Sequence, residues 1–157
     1  MRILGASLAL LFRPGDLAVL TGDLGAGKTT LTQGIGTGLG VREMISSPTF
    51  VIARVHPSLV GGADLVHVDA YRLGSLAEVD ELDLDASLDR SVTVVEWGEG
   101  LVEDLAPDRL EVLIRRPRGD ADGGADMAPL DGDENRYVSI SGYGERWEGV
   151  SFPTSVG

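Results

Sequence analysis

The 157-residue chain has no cysteine, one lysine and few aromatic residues: three Phe, three Tyr and two Trp. Without cysteine there is no disulfide framework and no thiolate metal site, which suits a reducing cytosol, so a cytoplasmic protein is expected. Positive charge is also short, with 13 Lys and Arg against 25 Asp and Glu and a net charge of −12. That balance argues against a nucleic-acid surface of its own, because sequence-independent binding rests on clustered cations against phosphates. No apolar run is long enough to span a bilayer. The opening run from Ile3 to Phe12 leads through Arg13-Pro14-Gly15-Asp16 directly into a strand, leaving no room for a processed leader; it reads instead as a short helix with Leu4, Leu8 and Leu11 on one face.

The length fits one domain with a core that needs no metal or disulfide. Its organising stretch is Gly22-Asp23-Leu24-Gly25-Ala26-Gly27-Lys28-Thr29, which fits the phosphate-loop pattern G-x-x-x-x-G-K-[ST] at every fixed position. The glycines let the backbone close around a polyphosphate with its N–H groups inward, and the helix that follows adds the partial positive charge of its N-terminus. Lys28 supplies a mobile charge for the β- and γ-phosphates, and the Thr29 hydroxyl can enter the shell of a Mg²⁺ that bridges them. An accidental match is expected in roughly one per cent of chains this long and this rich in glycine. Context narrows that, since the loop lies between the strand-like Asp16–Thr21 and a helix marked by Leu31, Ile35 and Leu39 that stops at Gly40. All twelve other basic residues are arginine, so the sole lysine stands where a compact ammonium is useful.

Glycines 34, 36 and 38 weaken that helix by up to ~1 kcal/mol each, so tertiary packing must hold it, and close approach of a neighbour would explain them. Further strands are expected at Val51–Val55, Leu65–Asp69, Val92–Glu96, Arg109–Arg115 and Tyr137–Ser141, with a brief helix at Leu101–Leu105. Ser75 to Leu88 reads as an acidic helical stretch whose carboxylates form a solvated face rather than a metal site. Residues 117–135, rich in Asp, Gly and Pro, read as a mobile insert within a long hairpin, and residues 143–157 as a tail without chemical signal.

Turnover requires an acid near Mg²⁺ and the attacking water, and in this architecture acids arrive at the carboxyl ends of neighbouring parallel strands. Asp69 and Glu96 both end apolar strands. Glu96 is assigned to the metal and Asp69 to the water or the metal's water shell, with the reverse order open; helix capping or a surface pair is the competing reading of each. Thr49, in Ser47-Pro48-Thr49-Phe50, is a switch hydroxyl or a turn residue. His67 shares a face with Asp69 and could touch the site, although a lone histidine is more often a packed or capping residue; Arg72 could serve as an internal arginine finger, although pairing with local carboxylates is the commoner role.

Four blocks, Gly22–Thr30, Ser47–Phe50, His67-Val68-Asp69-Ala70-Tyr71-Arg72-Leu73 and Val95-Glu96-Trp97-Gly98, occur in the order and spacing of the bacterial TsaE family, which the chain resembles from about Leu4 to Arg115. The resemblance implies an α/β, P-loop NTPase-like three-layer sandwich with a mixed, mostly parallel sheet and a C-terminal antiparallel hairpin. It implies an ATPase, weak alone, that acts with TsaB and TsaD in making threonylcarbamoyladenosine at position 37 of tRNA, the tRNA being reached only through the complex. The implied ATP contacts are Gly25 to Thr30, within a loop spanning Gly22, Asp23, Leu24, Gly25, Ala26, Gly27, Lys28, Thr29 and Thr30. The implied Mg²⁺ ligands are Thr29 and Glu96, with Lys28, Asp69 and Glu96 as the catalytic set. Family members usually begin with an extra strand and a fuller first helix, and their hairpin is shorter than the one here. The alternatives are a small-molecule phosphotransferase, for which no arginine-rich lid is found after Thr49, and a nucleotide-dependent switch. A guanine-specific site of the N-K-x-D kind is excluded, since there is no second lysine.

Overall fold

The structure, a computed structural model, describes residues 1–42, 53–71, 88–103, 106–116 and 136–153. Thr49 with its Ser47–Phe50 segment, Arg72, residues 75–87 and the 117–135 insert lie outside the described residues. Six strands form one sheet: β1 Leu17–Gly22, β2 Ala53–His56, β3 Asp64–Asp69, β4 Ser91–Glu96, β5 Arg109–Arg115 and β6 Tyr137–Tyr143. Their spatial order is β2-β3-β4-β1-β5-β6. The four inner strands are parallel, and β2 and β6 close the edges in antiparallel pairing, β6 with β5 in the expected C-terminal hairpin.

β1, β3 and β4 are largely apolar along their length because both faces of the sheet are covered there, whereas β5 alternates buried with half-exposed residues. All six residues of β4 are buried. On one face lie helix α1, Arg2–Ala9, and helix α2, Lys28–Leu39, whose Leu4, Leu8, Leu31 and Ile35 meet Leu20, Leu65, Val94 and Val112 of the sheet. Leu17, Val19, Val68 and Val95 point to the other face, where Val102 packs on them. Leu101 and Val102 begin a turn, both donating to the Gly98 carbonyl. This is the mixed α/β sheet expected, mostly parallel with an antiparallel C-terminal hairpin; among the described residues α1 and α2 cover one face and the turn at Leu101–Val102 packs on the other.

The close approach expected of α2 is made by α1. A Cβ built on Gly34 would lie 2.2 Å from the Arg2 carbonyl oxygen, and one on Gly38 would lie 2.5 Å from the Ala9 Cβ. Gly5 on α1 returns the contact, its Cβ position being 2.3 Å from the Leu31 carbonyl. The glycines thus trade helix propensity for helix–helix contact.

The chain beyond β6 returns to the core. A single 3-10 turn, Glu145–Trp147, seats Trp147 at 3% exposure, edge-on to Phe12 with ring centroids 5.9 Å apart. Beside it Arg146 donates to both oxygens of the buried Asp16 carboxylate, at 3.1 and 2.8 Å, and to the Leu11 carbonyl at 2.6 Å.

Candidate nucleotide site

The topology decides where the chemistry meets. β1 lies between β4 and β5, so the turn leaving its carboxyl end stands at the point where connections diverge to either side of the sheet. The registers Leu20↔Glu96 and Asp69↔Glu96 bring the ends of β1, β4 and β3 to one rim. Alternation places Asp69 on the same face as Leu65, and Glu96 on the same face as Val94, which is the face that carries α2.

The loop itself is built on left-handed backbone. Gly25 and Gly27 have φ of 72° and 110°, a region closed to most side chains, and Gly27 is the N-cap of α2. Ala26 N–H donates to the Asp23 carbonyl, and the first helical bond runs from Leu31 N–H to the Gly27 carbonyl. Between them the amides of Gly27, Lys28, Thr29 and Thr30 precede any acceptor the helix can offer, which leaves them for an anion. Leu24 at the tip is 86% exposed, whereas Ala26 is fully buried. Arg116, the residue after β5, donates to the Gly25 carbonyl from outside the loop.

Lys28 is only 4% exposed. Its Nζ donates to the Gly22 carbonyl at 2.6 Å and the Asp23 carbonyl at 3.0 Å, and lies 3.8 Å from the centre of the Trp97 ring. Burial pushes its ammonium below the ordinary lysine range, opposed by the nearby carboxylates of Glu96, Asp69 and Asp23. Among the described residues its hydrogen-bond acceptors are carbonyls and none is anionic, an arrangement that could receive an anion. Trp97 reaches it through a backbone φ of 62°, the one positive value on a non-glycine among the described residues. Such strain persists where the surroundings over-determine it, commonly at functional sites.

Across from Lys28, the Thr29 hydroxyl donates to Glu96 at 3.1 Å to Oε1 and 3.3 Å to Oε2, joining residues 67 positions apart. Glu96 is 3% exposed, and its Oε1 also meets His67 Nε2 at 2.8 Å. Asp69 is half-buried, and its Oδ1 accepts from the Tyr71 amide at 3.0 Å, so its side chain is set by its own turn. Among the described residues no three His, Cys, Asp or Glu side chains converge on a metal-sized space. That donor set fits Mg²⁺ held by one carboxylate, one hydroxyl and the phosphates it accompanies, since this ion takes few protein ligands and keeps much of its water. It does not fit a cation caged by protein alone.

The structure therefore gathers Gly22 to Thr30, Asp69 and Glu96 at one rim. Of the two readings open for His67, the structure bears out contact with the site, since its Nε2 is hydrogen-bonded to Glu96 Oε1, and its place on the Asp69 face was the signal. One neighbour of the loop escaped the sequence reading. Arg116 gave no signal, because its approach to the loop depends on β5 pairing with β1.

Residues 1–122 match the family model described as threonylcarbamoyl adenosine biosynthesis protein TsaE. The chain belongs to the TsaE family. The TsaE-family chain is 60% identical over 148 residues to the tRNA threonylcarbamoyladenosine biosynthesis protein TsaE of Streptomyces coelicolor, covering 94% of this chain and 93% of that one. It is 36% identical to the Bacillus subtilis protein of the same name, over 87% of this chain and 75% of the relative. Among solved structures, the crystal structure of Bacillus subtilis YdiB superposes with a TM-score of 0.65 at 30% identity, covering 94% of this chain and 81% of that one. The matched region holds the loop and both acids. Among the described residues no helix is long and apolar enough to cross a membrane.

Proposed function

We propose that this TsaE-family chain binds ATP with Mg²⁺ and hydrolyses it in the service of threonylcarbamoyladenosine formation on tRNA, in the cytoplasm, with TsaB and TsaD as its partners. The observation that carries the reading is the Thr29–Glu96 hydrogen bond beside the buried Lys28. It unites the loop hydroxyl and a strand-end acid at the place where a metal would bridge them to phosphate.

In this reading the loop amides from Gly25 to Thr30 hold the phosphates, and Lys28 neutralises charge on the β- and γ-groups. Thr29 and Glu96 hold the metal, and Asp69, held by its own turn on the same rim, orients the attacking water. Bound Mg²⁺ supplies charge neutralisation at the transferring phosphoryl group. The contact to Thr29 favours Glu96 over Asp69 for the metal. With a net charge of −12 the chain reaches tRNA through its partners.

Phosphate release from ATP, measured on the chain alone and with purified TsaB and TsaD, tests the proposal; a rise is expected only with the partners. Lys28→Ala and Glu96→Ala are each expected to lower turnover at least ~100-fold, since charge stabilisation of this kind is worth several kcal/mol. Unchanged rates in both variants would remove the site assignment.

A further inference from the structure

We infer that His67 is a positioning residue for the metal site: its Nε2–H fixes the Glu96 carboxylate in the orientation that Thr29 and Mg²⁺ require. The inference rests on the reading of Glu96 as a metal ligand. His67 is fully buried under the rim, one strand away from Glu96, and its register partner on β4 is Val94. It therefore sits one alternation deeper than Asp69, on the same face, below the site rather than in it.

The direction of the hydrogen bond follows from its partner. A carboxylate only accepts, so the hydrogen lies on Nε2, 2.8 Å from Oε1. The other nitrogen, Nδ1, is buried without a partner among the described residues. A buried unpaired polar atom is a cost to the fold, and an apolar residue at this place would avoid it. What the imidazole provides is the second anchor on Oε1. With only the Thr29 hydroxyl, whose distances to the two oxygens differ by 0.2 Å, the carboxylate is free to rotate and share either oxygen. With Nε2 also attached to Oε1, one oxygen is held from below and the plane of the group is set toward α2. Groups behind a metal ligand commonly change metal affinity by 10–100-fold when removed.

The test compares His67→Gln, His67→Asn and His67→Leu. A glutamine amide can reach the position of Nε2, while an asparagine amide reaches only that of Nδ1. Binding of a non-hydrolysable ATP analogue is measured by calorimetry in EDTA and then along a Mg²⁺ titration. We expect equal affinities in EDTA for all four proteins, a Mg²⁺ half-saturation raised about 10–100-fold in the Asn and Leu variants, and one within a few-fold of wild type in the Gln variant. Histidine nitrogen NMR of the ligand-free wild type supplies a second readout independent of the variants' folding: His67 should carry its hydrogen on Nε2. Equal Mg²⁺ half-saturation in all variants overturns the inference, as does a Gln variant as impaired as the Leu variant, or a hydrogen on Nδ1. Loss of the ATP-site reading itself looks different, because the wild type would then show no effect of Mg²⁺ on analogue binding.

Discussion

Replacing Gly34 with alanine sets two known effects against each other. Alanine is worth about 1 kcal/mol over glycine inside a helix, so an isolated α2 would gain. In the folded protein the new Cβ would stand 2.2 Å from the Arg2 carbonyl oxygen and 2.9 Å from the Arg2 Cα, whereas comfortable contact needs about 3.5 Å. The obstacle is backbone, which cannot swing aside as a side chain can, so α1 and α2 must separate by more than about 1 Å, and the Gly5–Leu31 contact opens with them. Overpacking of this kind costs typically 1–3 kcal/mol, and more where backbone must move, leaving a net loss of about 1–2 kcal/mol. In a chain of this size that lowers the melting temperature by about 2–8 °C. Urea denaturation followed by circular dichroism measures it, the expected outcome being a lower midpoint at unchanged slope. Gly62→Ala is the control, since its Cβ meets nothing nearer than Ser58 Oγ at 3.7 Å. A higher midpoint for Gly34→Ala would show that propensity alone governs α2 and that the two helices are not in the contact described.

If the proposed function holds, Mg²⁺ and ATP should raise the melting temperature, and Lys28→Met should abolish that rise without lowering the melting temperature of the ligand-free protein, because the buried ammonium is held at a desolvation cost. Between its lowered folded value and the ordinary 10.5 the unfolded chain holds the proton and the folded chain does not, so the wild type should gain stability relative to Lys28→Met as pH rises through that window. A ligand-free Lys28→Met protein that melts several degrees early would contradict both statements. Arg146→Ala should cost about 2–3 kcal/mol in a chemical denaturation series, since it strands the Asp16 carboxylate, 5% exposed, with the Arg13 amide as its remaining described partner. A loss under about 0.5 kcal/mol would mean that solvent already screens the pair.

Much of this protein was legible along the chain because its signals are local. Residues 22–29 carry a pattern whose every fixed position has a stereochemical reason, and the strands at 65–69 and 92–96 announce themselves as apolar runs ending in acids. Alternation alone placed His67 and Asp69 on one face, as observed. The α2 glycines even implied an unseen neighbour. The partner of each feature lay beyond such reading. That α1 fills the space above Gly34, that Trp147 turns back to meet Phe12, and that Arg116 reaches the Gly25 carbonyl are contacts between segments far apart in the chain. Strand order is what creates them. The sequence by itself determined the phosphate loop, the acids and the elements that carry them, because backbone sterics and periodicity act over a few residues. Only the tertiary structure decided that His67 would hold Glu96 and that Glu96 would meet Thr29, because such pairings depend on which strand lies beside which, a choice made by burial of the whole sheet.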